Sequence, residues 1–202
     1  MQVIFDIEKR VYDSSEGFNL AVENVLQVGF NIFRKAPAPF IIYSILSLFV
    51  FSNPFSGILL GGPIIAGYYI VAQKISKNLP IELSDFFKSF DRFVPLMVLN
   101  LLITLVVFLG LLLLIIPGLY LAISYLFAPI FVWYYGVEPS EAMSLSRKTI
   151  SGNFGQIMLL CLILAGINLL GLLAFGVGIF LTLPFTHCVI YATFVDILEA
   201  PI

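Results

Sequence analysis

The 10 Lys/Arg and 12 Asp/Glu residues of this 202-residue chain fall in four short clusters, separated by three long charge-free stretches. No charged side chain occurs between Lys35 and Lys74, between Arg92 and Glu138, or between Lys148 and Asp196. Each gap is about 38–47 residues, too long for one bilayer crossing of about 20 residues and the right length for two. A segment that crosses twice returns to the side it left, so the pattern places every charged cluster on one face of a membrane. The positive-inside bias makes that face cytoplasmic, which predicts an inner (plasma) membrane protein with both termini in the cytoplasm.

Hydrophobic residues make up 60% of the chain and charged residues 11%, against about 25% charged in soluble domains. The expected fold class is therefore all-α: a single polytopic membrane domain. A net charge of −2 without a basic run offers nucleic acid no surface. Met1 to Arg10 mixes Asp6 and Glu8 with Lys9 and Arg10 around no apolar core, so it reads as neither signal nor transit peptide. Cys161 and Cys188 both lie in apolar segments and read as packing residues. No metal or cofactor is expected.

Apolar length and Pro/Gly breakers predict six membrane helices, at 37–51, 56–74, 93–115, 118–136, 155–174 and 177–196. The reversals are marked by Ser52-Asn53-Pro54, by Pro117-Gly118, and by Gly176 and Gly178. The chain then divides into a cytoplasmic amphipathic segment (1–36), three hairpins (37–74, 93–136, 155–196), two interfacial helices (75–92, 137–154) and a cytoplasmic tail (197–202). The first membrane helix, about 15 residues long, is short for a full crossing and is expected to thin the bilayer or enter it only part way.

Each hairpin follows a segment with helical, two-faced spacing. From about Ser15 to Lys35, Phe18, Val22, Val25, Gly29 and Phe33 oppose Glu23, Gln27, Asn31 and Arg34, with Asp13 and Glu16 at capping-box spacing ahead. In the second, Leu83, Phe86, Phe87, Phe90 and Phe93 oppose Glu82, Asp85, Lys88 and Asp91. The third starts at Pro139 and stops at Gly152. The second helix of every hairpin carries a proline (Pro63, Pro129, Pro184) followed by tyrosine, so the chain reads as a degenerate threefold repeat.

Within Val137–Phe154, the pattern Glu141-Ala142, then Ser146, then Gly152-Asn153-Phe154 leads into the next apolar helix, with Ile116-Pro117-Gly118 upstream. This resembles a family of bacterial six-helix membrane proteins related to the membrane domain of glycerophosphoryl diester phosphodiesterases. The likeness covers roughly the last 90 residues. It implies the topology and a membrane role. It carries over no activity, since no phosphodiesterase domain is present in this sequence.

Candidate functional positions are few. His187, the only histidine, lies at membrane depth with Asn168 as its natural partner, forming either a functional ionisable site or a neutral hydrogen-bonded pair. Pro63, Pro129 and Pro184 read as helix kinks, or as broken helices that bind a substrate. Gly57-x-x-x-Gly61 reads as a packing surface, and Trp133, Tyr134 and Tyr135 as an interfacial belt. Lys74, Lys77, Lys88, Arg92, Arg147 and Lys148 ring the charged face. They serve as topology determinants or hold anionic lipid headgroups. No catalytic constellation or phosphate loop is present in the sequence. The leading expectation is a non-enzymatic accessory or structural protein that organises membrane lipid, a partner membrane protein or a homo-oligomer. A small permease or channel for an apolar or weakly polar solute is the alternative. A lipid-directed enzyme built on His187 is the third.

Overall fold

The computed structural model describes residues 2–174 and 176–198, for 2–5 the backbone only, and every regular element among them is helical. α1 spans Gln2–Ser15, α2 Val22–Lys35, α3 Pro37–Phe51 and α4 Pro54–Ser76. A 3-10 segment, Leu83–Arg92, leads directly into α5, Phe93–Leu113. α6 is Ile115–Ser124, followed after a turn by the short α7, Ala128–Ile130, and a π-helical stretch, Phe131–Tyr135. α8 is Pro139–Ser151, α9 Phe154–Leu173 and α10 Ile179–Leu198. Most of the predicted tail, 197–202, lies outside the described residues.

By length and composition, 5 spans can cross a membrane: Pro54–Ser76, Leu83–Leu113, Ile115–Tyr135, Phe154–Leu173 and Ile179–Leu198. The number rises to 6 if α2 and α3, bent by 95°, count as one. Several apolar helices of this length suggest a multi-pass membrane protein.

Local chemistry accounts for the helix ends. Pro37 and Pro54 occupy first-turn positions, where a missing N–H is harmless, and the Asn53 side chain accepts from Phe55 N at 2.9 Å. Pro117-Gly118 does not form the second reversal. The break falls at Leu114, which is extended (φ −160, ψ 145), and Pro117 sits in the first turn of α6, which makes no use of its N–H. Gly118 serves instead as a contact: a Cβ on Gly110 would lie 3.0 Å from the Gly118 Cα. At the third reversal a Cβ on Gly178 would lie 2.7 Å from the Gly171 Cα.

Two further expectations change. The segment from Ser15 to Lys35 is not one helix: α1 runs to Ser15, Gly17 turns the chain at φ +126, and α2 begins at Val22. Asp13 and Glu16 therefore close α1, through Glu16 N to Asp13 O at 3.3 Å, and do not cap α2. Residues 83–92 wind as 3-10 rather than α-helix, and Asp85 turns inward.

Consecutive helices pack in pairs, α3 on α4, α5 on α6 and α9 on α10. Three other segments bury one side on the second helices of these pairs. α2 crosses α10 with Gly29 against Val189, where a Cβ would stand 2.9 Å from the Val189 N. The 3-10 segment lies on α4, the Phe86 carbonyl against Gly67. α8 packs along α6 and α7. The core sits at this end, where Tyr68, Tyr69, Phe86, Phe127, Phe131 and Phe194 are buried. The reversals at the other end expose mainly apolar surface, with Phe55 80%, Leu113 80%, Ile116 81% and Leu173 71% exposed, and the first also exposes Ser52 and Asn53.

Gly29→Leu forces α2 off α10, because the obstacle is backbone and cannot rotate away. We expect it to lower the thermal midpoint in detergent far more than Gly155→Leu, where a Cβ meets nothing within 4 Å. Equal midpoints for the two variants would contradict this packing.

Candidate functional site

The second helices of the three pairs meet in an aromatic and hydroxyl cluster. The Tyr68 Oη lies 2.9 Å from Ser47 Oγ and 3.2 Å from Ser44 Oγ, while both serines donate back to α3 carbonyls. The Tyr68 ring stacks on His187 at 4.5 Å and 17°, and Tyr69 meets His187 edge-on at 5.7 Å. Tyr134 Oη donates to the Tyr69 carbonyl at 2.7 Å, and Phe127 and Phe131 pack on Phe194 at 5.4 and 5.2 Å. The Tyr68, Ser44, Ser47 and Tyr134 hydroxyls thus find partners, as burial without them is costly.

The expected Asn168–His187 pair is not formed. Asn168 Nδ2 donates to Thr186 Oγ1 at 2.7 Å and to the Leu164 carbonyl at 2.9 Å. Adjacent residues on a helix point about 100° apart, so Thr186 faces α9 while His187 faces α4. Among the described residues, Asn168 Oδ1, Thr182 Oγ1 and His187 Nδ1 are buried without a hydrogen-bond partner.

The prolines divide into two kinds. Pro63 and Pro184 lie buried inside continuous helices, α4 and α10. Pro129 stands just after a true break at 125–127, and Ser146 of α8 holds that break together. Its Oγ donates to the Ser124 carbonyl at 2.8 Å and accepts from Phe127 N at 3.1 Å. Gly57 and Gly61 do provide a close-packed face, with Asn100 Nδ2 donating to the Gly57 and Ile58 carbonyls at 3.0 and 2.9 Å. Trp133, Tyr134 and Tyr135 are half-buried in the π-helical stretch.

The six basic candidates have different partners. Lys74 and Lys88 both bind Asp85, at 2.6 and 2.7 Å. Asp85 is 2% exposed and also accepts from Glu82 N at 2.8 Å, completing a capping box. The Arg92 guanidinium lies against Gly136, and Arg147 stands 6.0 Å from the centre of the Tyr120 ring. Lys77 and Lys148 are exposed.

Residues of the 141–154 stretch make tertiary contacts. Ala142 and Ser146 are buried, Gly152 admits the Ser14 carbonyl, and Asn153 donates to the Phe18 carbonyl at 2.8 Å while capping α9. Gln156 joins them, accepting from Leu20 N at 2.6 Å and donating to Asn19 Oδ1 at 3.1 Å. Asp85 and Gln156 escaped the sequence reading. An α-helical period puts Asp85 on the polar face, and a lone Gln in an apolar stretch gives no signal.

Two clefts lie beside α2 and α10. One of about 330 Å³ lies under α2, between Phe30, Phe33, Leu181, Thr182 and Phe185. Another of about 210 Å³ is lined by Asn24, Ser76, Tyr191 and Asp196 among others. Among the described residues, no three His, Cys, Asp or Glu side chains gather as a metal site requires. No family model matches the chain, and neither a curated protein nor a solved structure matches it.

Asp85→Ala strands Lys74, whose side chain is 22% exposed, and is expected to cost about 3–5 kcal/mol of unfolding stability. Lys88→Met, at a half-exposed position, should leave the melting midpoint nearly unmoved. His187→Ala is expected to cost about 2–5 kcal/mol through lost ring packing, and His187→Phe to restore most of it. Failure of Phe to rescue would assign His187 a role beyond packing.

Proposed function

We propose that the protein is a non-enzymatic accessory protein of the inner (plasma) membrane that organises lipid, or a partner membrane protein or second copy, at the cytoplasmic face. Three hairpins enter from that face, each preceded by an interfacial helix, and both termini remain there. The threefold repeat and the kinship with phosphodiesterase membrane domains belong to this reading. The kinship rests on the Glu141-Ala142, Ser146 and Gly152-Asn153-Phe154 pattern of the sequence.

One observation carries the proposal: polarity is one-ended. α2 exposes Glu23, Gln27, Asn31, Arg34 and Lys35, and the 3-10 segment with its N-cap exposes Glu82, Lys88, Asp91 and Arg92. α8 exposes Ser144, Arg147 and Lys148. All three lie at the buried-core end, while the reversals carry no charge and expose mainly Phe, Leu and Ile beside Ser52 and Asn53. Such faces suit anionic headgroups above and acyl chains below. The permease alternative has less behind it, because Tyr68, Tyr69, Phe131 and Phe194 fill the junction of the proline-bearing helices, each at most 1% exposed.

Purification in mild detergent followed by mass spectrometry should find anionic phospholipid bound to the protein. Lys77→Gln and Lys148→Gln should each weaken retention roughly fivefold, since a basic residue near an anionic surface contributes about 1 kcal/mol. A monomer free of lipid and partner would overturn the proposal.

A further inference from the structure

We infer that the cleft between α2, the end of α4 and the last turns of α10 binds a small organic ammonium group, with Asp196 as its counter-charge. The cleft encloses about 210 Å³. That is below the range of about 300–1,000 Å³ that takes a drug-sized ligand, so it fits a headgroup or a short amine. Recognition of the cation is independent of the lipid-organising role proposed above; only its source in a lipid headgroup rests on that role.

The sign of the ligand's charge follows from the polar groups. Among the described residues, Asp196 is the one carboxylate that lines the cleft, and no Lys, Arg or His lines it. Nor does Asp196 have an ion-pair or hydrogen-bond partner among them. Arg10, at the same end of α10, donates to the Leu198 carbonyl at 2.9 Å and borders the clefts along α1 instead.

The hydroxyls add to this polarity. Ser76 Oγ donates to the Gln73 carbonyl at 2.8 Å, which spends its only proton. The 3.2 Å bond between Tyr191 Oη and Ser76 Oγ is then donated by Tyr191, so both oxygens have only lone pairs left to offer. Asn24 lines the cleft as well and can turn its carbonyl oxygen into it. The matching ligand brings both the hydrogens and the positive charge, as an ammonium does.

The remaining walls favour an organic cation over a bare ion. They are aliphatic: Val25, Val28 and Ile32 from α2, Ala192 and Val195 from α10. A calcium ion takes roughly 6–8 oxygens, more than one carboxylate, two hydroxyls and an amide supply here. The methylenes that flank an ammonium bury against the aliphatic walls instead. Asp196 and Asn24 are exposed, so the charge is paired at a polar mouth.

The test titrates the full chain in non-ionic detergent with n-butylammonium, read by ligand-observed NMR. Saturable binding is expected, and Asp196→Asn should weaken it about tenfold, the worth of a hydrogen bond to a charged group. With no partner to lose, this variant should melt with the wild type. Val28→Trp, which fills the cleft and spares the carboxylate, should abolish binding too. Asp91→Asn, at an exposed carboxylate outside the cleft, should leave binding unchanged. The uncharged n-butanol should not distinguish the wild type from Asp196→Asn.

The source of the amine is read after reconstitution with equal phosphatidylethanolamine and phosphatidylglycerol, by mass spectrometry of the lipid retained on re-extraction. A headgroup ligand predicts that Asp196→Asn loses phosphatidylethanolamine and keeps phosphatidylglycerol. If butylammonium binding needs Asp196 and phosphatidylethanolamine retention does not, the site stands for a free amine and the headgroup source is overturned. Absence of saturable butylammonium binding, or equal binding to the wild type and Asp196→Asn, overturns the ammonium site and leaves the lipid-organising role standing. That role fails by its own test, a monomer free of lipid and partner, whether or not the amine binds.

Discussion

A charged side chain held in hydrocarbon costs about 2.5–3.5 kcal/mol even on the mildest scale, and the architecture of this chain follows from avoiding that cost. The segments that carry ions cannot enter the lipid, yet the apolar helices between them need something to pack against. Both needs are met where a polar-faced segment lies across the second helix of a pair. Two of those crossings use a glycine, Gly29 on Val189 and Gly67 on Phe86, which lets backbone approach backbone. The third uses a hydroxyl, Ser146, which satisfies a carbonyl and an amide freed where α6 breaks. Removing one of these contacts would separate the ionic surface from the greasy one beneath it.

The interior polar groups serve the same end. Asp85 gathers two lysines and an amide at the top of α4, fixing the 3-10 segment whose phenylalanines line the core. Tyr68, Ser44 and Ser47 settle one another's hydroxyls between α3 and α4. Gln156 and Asn153 fasten the residues linking α1 to α2 onto the start of α9. The bonds of Gln156 and Asn153 join residues 136 and 135 positions apart, so they define the order of packing rather than any single helix.

Much of this was legible beforehand, and the misses have physical causes. Charge-free length located the apolar helices to within a few residues, because excluding ions from lipid acts on every position of a segment at once. The Leu114 break was invisible because Pro117 is as comfortable in a first turn as in a loop. Asp85 was misplaced because four phenylalanines at helical spacing fit an α-helix on paper, whereas a 3-10 turn lets Asp85 reach Lys74. The Asn168–His187 pairing failed by one residue, since Thr186 rather than His187 faces α9.

Hydropathy and charge placement, both additive along a chain, were enough by themselves to determine an all-helical protein with apolar helices of membrane length and ionic segments set apart from them. The tertiary structure alone decided which helix each segment crosses, and at what height. Those choices depend on contacts between separate elements, some of them between residues more than a hundred positions apart, such as Gly29 and Val189 or Leu20 and Gln156. A local pattern carries no record of a distant partner, so the order in which these elements pack is a property of the tertiary structure.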